Sequence, residues 1–305
     1  MATTTATPSR TATRSRAFPL KYFVLAFVFT WALWVPAALE ARGLISPLPV
    51  PAGFLGVFGP MAAAIVVTAL EGGRAGLRSL LGRVVRWRVA PVWYAVAILG
   101  PIVLTLSTMA LVVVFGGPPP DLSAIIGALP TVLVLTVYML VQVGIGEEIG
   151  WRGYALPRLQ TGYSALVSSL ILGVLWALWH LPLFFNPDLH YSNLPFVLQL
   201  AFQIPAAILF TWVFNSTGGS VLIAILMHAV LNASSRLWSA MPEYSVEPPT
   251  AAEAAAQTVH INLMATIVVW VAAVVVVLVY GPRNLSRRPR QVLAAARSES
   301  QPRVQ

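Results

Sequence analysis

The chain has 305 residues, of which 58% are hydrophobic and only 10% are charged, and its mean hydropathy is +0.79. This composition excludes an ordinary soluble globular domain. The absence of cysteine excludes disulfides, thiolate catalysis and thiolate metal ligands. The net charge of +9 does not indicate a nucleic-acid partner, because the sequence has no soluble module to carry such a surface.

Apolar runs long enough to cross ~30 Å of hydrocarbon recur along the sequence. Because backbone groups in lipid must be satisfied within the segment itself, each run predicts a helix. We therefore expect an all-α polytopic membrane protein with about eight transmembrane helices. The predicted spans are 18–39, 52–70, 91–115, 123–145, 164–185, 195–214, 219–237 and 262–281.

An even number of spans puts both termini on one side of the membrane, and the basic residues indicate which side. Lys and Arg concentrate in the N-terminal segment, the 71–90 loop and the C-terminal tail, whereas only Arg42 and Arg236 fall toward the other side. This is the positive-inside pattern, so we expect both termini in the cytoplasm. The Arg- and Ala-rich sequence favours a bacterial plasma membrane as the location.

The chain divides into three predicted parts. Residues 1–17 form a disordered cytoplasmic N-terminus, residues 18–281 form the membrane domain, and residues 282–305 form a basic cytoplasmic tail. Apolar residues recur at helical spacing among the arginines of the 71–90 loop, which predicts a basic amphipathic interfacial helix. The outer loop 239–261 is predicted to be a solvated linker.

Ionisable side chains inside the spans carry the functional signal, since each costs about 2.5–3.5 kcal/mol on insertion scales. Glu147 and Glu148 end the fourth span, His180 lies in the fifth and His228 in the seventh. Asn232 follows His228 by four residues, so both side chains project from one helical face.

Two further features surround the glutamates. Glu148 and Arg152 are also four residues apart and can form an ion pair if the helix continues. Small residues allow helices to approach closely in lipid, and they would also leave room for a substrate backbone. The small residues here are Gly144, Gly146, Gly150 and Gly153.

Two kinds of hydrolytic site could use these groups. Glu147, His180 and His228 could bind a catalytic zinc ion, because two His and one Glu with an open position is a known arrangement. Alternatively, a carboxylate and His180 could activate water while His228 and Asn232 donate hydrogen bonds to a developing oxyanion. The same groups could instead form the relay of a proton-coupled transporter or belong to a scaffold protein, so these classes remain open.

Three motifs narrow the choice: "EEIGWR" at 147–152, "WALWH" ending at His180, and "HAVLN" at 228–232. Their order resembles the CPBP family, the CAAX-protease and bacteriocin-processing family of intramembrane proteases. That family has Glu-Glu-x-x-x-Arg, Phe-x-x-x-His and His-x-x-x-Asn on successive membrane helices, in a conserved domain that would cover 125–235 here. The sequence departs from this pattern at Trp176, where the family usually has Phe.

The resemblance implies an endopeptidase that hydrolyses a peptide bond of a membrane-associated protein or peptide by activated water. The implied catalytic residues are Glu147, Glu148, His180, His228 and Asn232, with Arg152 in support. In that set Glu147 would activate water with help from His180, while His228 and Asn232 would stabilise the oxyanion. We expect the catalytic face to open toward the cytoplasmic half of the bilayer.

The resemblance leaves the cofactor and the substrate open. The family has been described both as metalloproteases and as metal-free glutamate proteases, so zinc on Glu147, His180 and His228 is one possibility. Its members process prenylated CAAX proteins or are linked to bacteriocin maturation and self-immunity, and some are non-catalytic scaffolds. The implied partners are a peptide or protein substrate and the lipid bilayer, with no nucleic acid.

Overall fold

The computed structural model describes residues 18–242 and 250–293, and this part of the chain is helical without any strand. The all-α prediction is confirmed. The helices are α1 Leu20–Ala41, α2 Ala52–Gly56, α3 Gly59–Val84, α4 Pro91–Val114, α5 Leu122–Met139, α6 Gly146–Gly150, α7 Leu156–Gly162, α8 Ala165–Trp179, α9 Phe196–Ser216, α10 Val221–Ser234 and α11 Ala251–Tyr280. Short 3-10 turns lie at Leu181–Phe185, His190–Asn193 and Ser235–Ala240.

Several helices begin at residues that suit a helix N-terminus. Asp121, Ser164 and Ser220 precede α5, α8 and α10, and the side chain of each accepts a hydrogen bond from a backbone N–H two or three residues on. Pro60 and Pro91 lie in the first turns of α3 and α4, where the missing N–H costs no helical hydrogen bond. These caps and prolines fix where the helices start between the apolar runs.

Helices α8, α9 and α10 form the centre of the bundle. In their most apolar stretches 50%, 56% and 61% of the residues are buried, against 11% in the segment Leu122–Gly162. Trp179 of α8 and Phe210 of α9 are among the largest fully buried side chains. The segment Leu122–Gly162 therefore presents most of its apolar stretch to lipid, whereas α8 to α10 pack against protein.

One end of the bundle, which we call the terminal end, holds both ends of the described chain. Tyr22, at the start of α1, stacks on Tyr154 with ring centroids 4.7 Å apart. Just after α11, the carbonyl of Arg283 accepts a hydrogen bond of 3.0 Å from the backbone N–H of Ala165 at the start of α8. The start of α1 and the end of α11 thus lie beside the loop that joins α7 to α8.

The opposite end, which we call the mouth end, joins the other set of loops. Arg42, just after α1, donates from Nε to the carbonyl of Phe185 at 2.6 Å. The backbone N–H of Asp121, just before α5, donates to the carbonyl of Ala240 at 2.8 Å. The loops that follow α1, α8 and α10 therefore share this end with the start of α5.

The described part of the chain makes eight passes between the two ends, although only seven of its helical segments are long and apolar enough to count as membrane spans. The predicted span 52–70 is not among these seven segments, because in the structure it is split between the short α2 and the first part of α3. The pass is nevertheless complete, since Glu71 accepts a hydrogen bond from Tyr154 at the terminal end. The path agrees with the even number of spans inferred from sequence.

The predicted interfacial helix is the second part of α3. Gly73 breaks the helical backbone with a φ of 52°, a conformation that glycine adopts without steric cost. Beyond it the helix continues to Val84, with Leu80 buried and Arg78 exposed to the surroundings. The kink separates the membrane-crossing part of α3 from the amphipathic part.

The predicted fourth span ends too early. The helical segment Leu122–Gly162 has 41 residues, and π-helical turns at Leu140–Ile145 and Trp151–Ala155 interrupt it. These turns lie directly before and after the short α6, which carries Glu147 and Glu148. Such π-turns are uncommon and occur frequently at functional sites.

The prediction of a solvated linker over residues 239–261 is wrong for the last part of this range. Helix α11 already begins at Ala251, after a cap in which the Thr250 side chain accepts a hydrogen bond from the N–H of Glu253. The sequence that follows is rich in alanine, the residue with the highest helix propensity. Residues 243–249 lie outside the described part of the chain.

The first part of the predicted tail packs against the helices. The side-chain amide of Asn215 donates to the carbonyl of Asn284 at 2.8 Å, and that of Gln160 donates to the carbonyl of Gln291 at 2.8 Å. The predicted N-terminal segment 1–17 and residues 294–305 lie outside the described residues. The three-part division of the chain stays a prediction.

We predict that Gly150→Ala destabilises the protein by about 1–3 kcal/mol, the usual cost of overpacking. A Cβ at this position would lie 2.6 Å from the backbone carbonyl of Pro60 in α3 and 2.5 Å from the Tyr22 hydroxyl. The matched control is Gly100→Ala in α4, where a Cβ would meet nothing within 4 Å. Thermal unfolding in detergent should show a lower Tm for Gly150→Ala alone, and equal Tm values for the two variants would contradict the packing argument.

Candidate active site

Glu147 is a buried carboxylate held by two tryptophans. Its side chain is 3% exposed, and Oε2 accepts hydrogen bonds from Nε1 of Trp176 at 2.6 Å and from Nε1 of Trp151 at 3.3 Å. Trp176 lies on α8, while Trp151 lies one turn after Glu147 on the same helical segment. Because Oε2 receives both donors, the carboxylate has a fixed orientation and Oε1 is left for another partner.

His180 follows the last residue of α8 and its ring is also fixed. Nδ1 lies 2.8 Å from the backbone carbonyl of Trp176. A carbonyl oxygen only accepts, so Nδ1 carries the proton and Nε2 keeps a lone pair. The ring stacks on that of Tyr191 with centroids 5.7 Å apart. His180 is therefore an oriented acceptor at Nε2.

His228 is bound to the second glutamate. Its Nδ1 lies 2.8 Å from Oε1 of Glu148, which also accepts a hydrogen bond of 2.8 Å from Nη1 of Arg152. A carboxylate oxygen only accepts, so Nδ1 of His228 carries a proton here as well. The spacing of Glu148 and Arg152 thus produces the predicted ion pair, and Glu148 extends it to α10.

Arg152 is fully buried and lies between aromatic rings. Its guanidinium carbon is 4.5 Å from the ring centroid of Trp176 and 4.3 Å from that of Phe210. Such cation–π contacts are worth about 2 kcal/mol or more when the cation is desolvated. Within the described residues, Nε and Nη2 of Arg152 and Oε2 of Glu148 have no hydrogen-bond partner. The ring faces of Trp176 and Phe210 therefore form much of the surroundings of the Arg152 guanidinium.

The side chain of Asn232 lies one turn beyond His228. Its Nδ2 donates to the backbone carbonyl of His228 at 3.1 Å, and the residue is half-buried. The amide thus lies on the His228 face of α10, as the i, i+4 spacing predicts, and it borders the same open space.

A cavity of about 920 Å³ brings four of the predicted residues together. Glu147, His180, His228 and Asn232 all line it. Glu148 and Arg152 do not, because they lie behind its wall. The cavity is the size of a typical ligand site, large enough for several residues of a peptide. Glu148 therefore differs from the rest of the predicted catalytic set in having no face on the cavity.

The four glycines around the glutamates serve helix packing. None of them lines the cavity. A Cβ on Gly144 would meet Ile225 of α10 at 2.8 Å, and one on Gly146 would meet Val57 at 3.1 Å. The glycines therefore allow the close approach of helices that the sequence predicted. The prediction that they leave room for a substrate backbone is wrong.

Several aromatic residues of the site were not among the predicted site residues, although Trp176 was noted as the position at which the sequence departs from the family. They are Trp34, Trp151, Trp176 and Tyr191, of which all but Trp151 line the cavity. Trp151 and Trp176 lie four residues from Glu147 and His180, so the i, i+4 spacing could have identified both. Tyr191 lies in a loop and had no such signal. Burial and the negative charge of Glu147 raise the pKa of Tyr191, which keeps its hydroxyl protonated.

The three candidate zinc ligands do not fit a zinc site. Among the described residues, no three His, Asp or Glu side chains are grouped so that they could hold a metal ion. Nδ1 of His180 and of His228 are engaged by the Trp176 carbonyl and by Glu148, so only Nε2 of each ring could contact a metal ion. The mechanism proposed below therefore uses only the side chains of this chain.

The fold and the cavity define a polytopic membrane protein with a buried polar site, in which carboxylate, imidazole and amide groups line one cavity. A family model described as Type II CAAX prenyl endopeptidase Rce1-like matches residues 129–234, close to the predicted domain 125–235. The chain is also 28% identical over 235 residues to CAAX prenyl protease 2 of Methanococcus maripaludis, covering 72% of this chain and 84% of the relative. Together these comparisons support a CPBP-family intramembrane endopeptidase. The transporter and scaffold alternatives are not favoured.

We predict that Trp176→Phe, which introduces the family's usual residue, lowers kcat/KM by about 10- to 100-fold. The substitution removes the 2.6 Å hydrogen bond to Glu147, and a hydrogen bond to a charged group is worth about 1.5–3 kcal/mol. The matched control is Trp212→Phe, because the buried indole N–H of Trp212 has no partner among the described residues. Peptide cleavage by both purified variants tests this, and equal activities would show that the Trp176 bond does not support Glu147.

Proposed function

We propose that Glu147 and His180 together activate a water molecule for attack on a peptide carbonyl. The observation that carries the proposal is the single cavity lined by Glu147, His180, His228 and Asn232. Oε1 of Glu147 and Nε2 of His180 are the two acceptors left free by the hydrogen bonds around them. A general base must reach its proton within about 3 Å or through one water, and both acceptors border the same space.

The proposed reaction has two steps. A water proton passes to Glu147 as the water oxygen bonds to the carbonyl carbon, and the carbonyl π electrons move to oxygen to give a tetrahedral oxyanion. The C–N bond then breaks as the oxyanion re-forms the carbonyl, and the proton held by Glu147 passes to the leaving nitrogen. His180 accepts a hydrogen bond from the water and keeps it oriented. The enzyme forms no covalent intermediate.

His228 and Asn232 are proposed to stabilise the oxyanion. The Asn232 amide carries two N–H groups, of which one is used by the His228 carbonyl. The His228 ring, with Nδ1 bound to Glu148, can donate from Nε2 in its protonated form. Donors fixed before the reaction are effective in a water-poor site, and loss of one typically costs about 10²–10³-fold in kcat.

Glu148 and Arg152 are proposed to be positioning residues. Glu148 touches His228, and neither Glu148 nor Arg152 lines the cavity. Their ion pair fixes the orientation of the His228 ring and supplies a compensating charge for its protonated form. This role agrees with their burial behind the cavity wall.

The proposed substrate is a membrane-associated protein or peptide. The relative's name describes a protease of CAAX prenyl proteins, and we propose the same reaction on a peptide bond here without assigning the prenyl group. The cavity lining combines aromatic and aliphatic side chains with a few polar groups, as suits a peptide with apolar residues. We also propose a bacterial plasma membrane with both termini in the cytoplasm, from the distribution of basic residues.

We predict that Glu147→Gln lowers kcat by about 10²–10⁴-fold, because the amide has nearly the same shape but cannot take the water proton. The measurement is cleavage of a fluorogenic peptide by protein purified in detergent. Glu71→Gln is the matched control, because Glu71 is exposed at the terminal end and does not line the cavity. Wild-type kcat in Glu147→Gln would remove Glu147 from the mechanism, provided that thermal unfolding shows both variants folded.

We predict that a strong zinc chelator leaves the peptidase activity unchanged. The reason is the arrangement of the candidate ligands, because no three His, Asp or Glu side chains of the described residues are grouped so that they could hold a metal ion. The measurement compares kcat before and after prolonged chelation and dialysis. Loss of activity that returns on addition of Zn²⁺ would contradict the proposed metal-free mechanism.

A further inference from the structure

The cavity occupies only one half of the bundle. In α1 it is lined by Trp34 and Ala37, near the end of the helix that leads to the mouth end. In α10, which runs toward the mouth end, the lining begins at His228. In α11, which starts at the mouth end, the lining covers Thr258 to Val269. The catalytic groups thus form the floor of the cavity, and its walls extend toward the mouth end.

Loops of the mouth end form the rim of the cavity. Asn186, His190 and Tyr191, between α8 and α9, line it, as does Ser235 just after α10. His190 and Ser235 are exposed. Arg42, which binds the neighbouring Phe185 carbonyl, ties the end of α1 to this rim. The sequence prediction placed the termini and the cavity opening on the same side, whereas the two ends of the described chain and the rim of the cavity lie at opposite ends of the bundle.

The two ends of the bundle differ strongly in charge. The basic residues of the terminal end are Lys21, Arg74, Arg78, Arg83, Arg86, Arg88, Arg158, Arg283, Arg287, Arg288 and Arg290. The mouth end has Arg42 and Arg236 among the described residues, together with acidic Glu40, Asp121, Asp188 and Glu253. Contacts confirm the division, since Arg83 donates to Gly153 and Arg290 to Gln160 at the terminal end.

The charge difference decides which end faces the cytoplasm. Loops rich in Lys and Arg remain on the cytoplasmic side during insertion, whereas acidic residues have little influence. The terminal end carries almost all of the basic loops, so it is the cytoplasmic end. The mouth end, with the rim of the cavity, then faces away from the cytoplasm.

We infer that the active-site cavity opens to the extracytoplasmic side of the membrane and receives a peptide segment presented from that side. This inference rests on the proposed function for the identity of the cavity. The substrate class it names is an exported or membrane-anchored protein whose cleavage site lies in the outer half of the bilayer. A protein anchored to the cytoplasmic leaflet by a prenyl group would meet the basic, closed end instead.

The absence of cysteine makes a direct test possible. Pro187→Cys at the mouth end and Pro289→Cys at the terminal end form a matched pair, because both prolines are exposed, uncharged and outside the cavity lining. Intact cells are treated with a membrane-impermeant maleimide. We expect full labelling of the cysteine at 187, and labelling at 289 only after permeabilisation. The reverse pattern, or labelling of both in intact cells, would overturn the inference.

Cleavage in oriented vesicles separates this inference from the proposed function. A membrane-impermeant fluorogenic peptide should be cut by right-side-out vesicles and not by inverted ones, and Glu147→Gln should abolish the signal. Cleavage by inverted vesicles alone would overturn the inference while leaving the proposed function intact. If wild type and Glu147→Gln are equally inactive in detergent as well, the proposed function fails, and the labelling pattern still decides the orientation.

Discussion

The buried carboxylate of Glu148 is the constraint on which the site depends. It is fully buried and its Oε1 is shared between Arg152 and His228. An unpaired charge in the interior of a membrane protein costs several kcal/mol, so removal of either partner would leave an uncompensated ion. The shared oxygen therefore fixes α10 against the helical segment that carries the glutamates, and with it the position of His228.

The aromatic residues make this ion pair compatible with a dry interior. Trp176 places one ring face near the Arg152 guanidinium and directs its N–H to Glu147. One side chain thus contacts both the structural ion pair and the proposed base. The phenylalanine that the family usually has could provide the ring face but not the hydrogen bond. The substitution that weakened the sequence resemblance therefore adds a polar contact at the carboxylate proposed as the base.

Much of the fold and the main site residues could be predicted from the sequence, for physical reasons. Helices are required in lipid, and buried charges there are rare enough to mark Glu147, His180 and His228. Long-range geometry could not be predicted. The glycines were assigned to substrate clearance because sequence does not show that Gly150 faces Pro60. Tyr191 was missed because no spacing rule relates a loop residue to His180.

The direction of the cavity shows why local patterns and topology must be considered together. The charge distribution predicts on which side of the membrane each loop lies, and the motifs predict the candidate catalytic residues. Neither pattern indicates which half of each helix lines the cavity. His180 follows the last residue of α8, and Asn232 lies near the end of α10. Both helices run from the terminal end to the mouth end, so these groups lie in the half of the bundle near the mouth end. In the proposed mechanism, water and the peptide therefore both reach the site from that end.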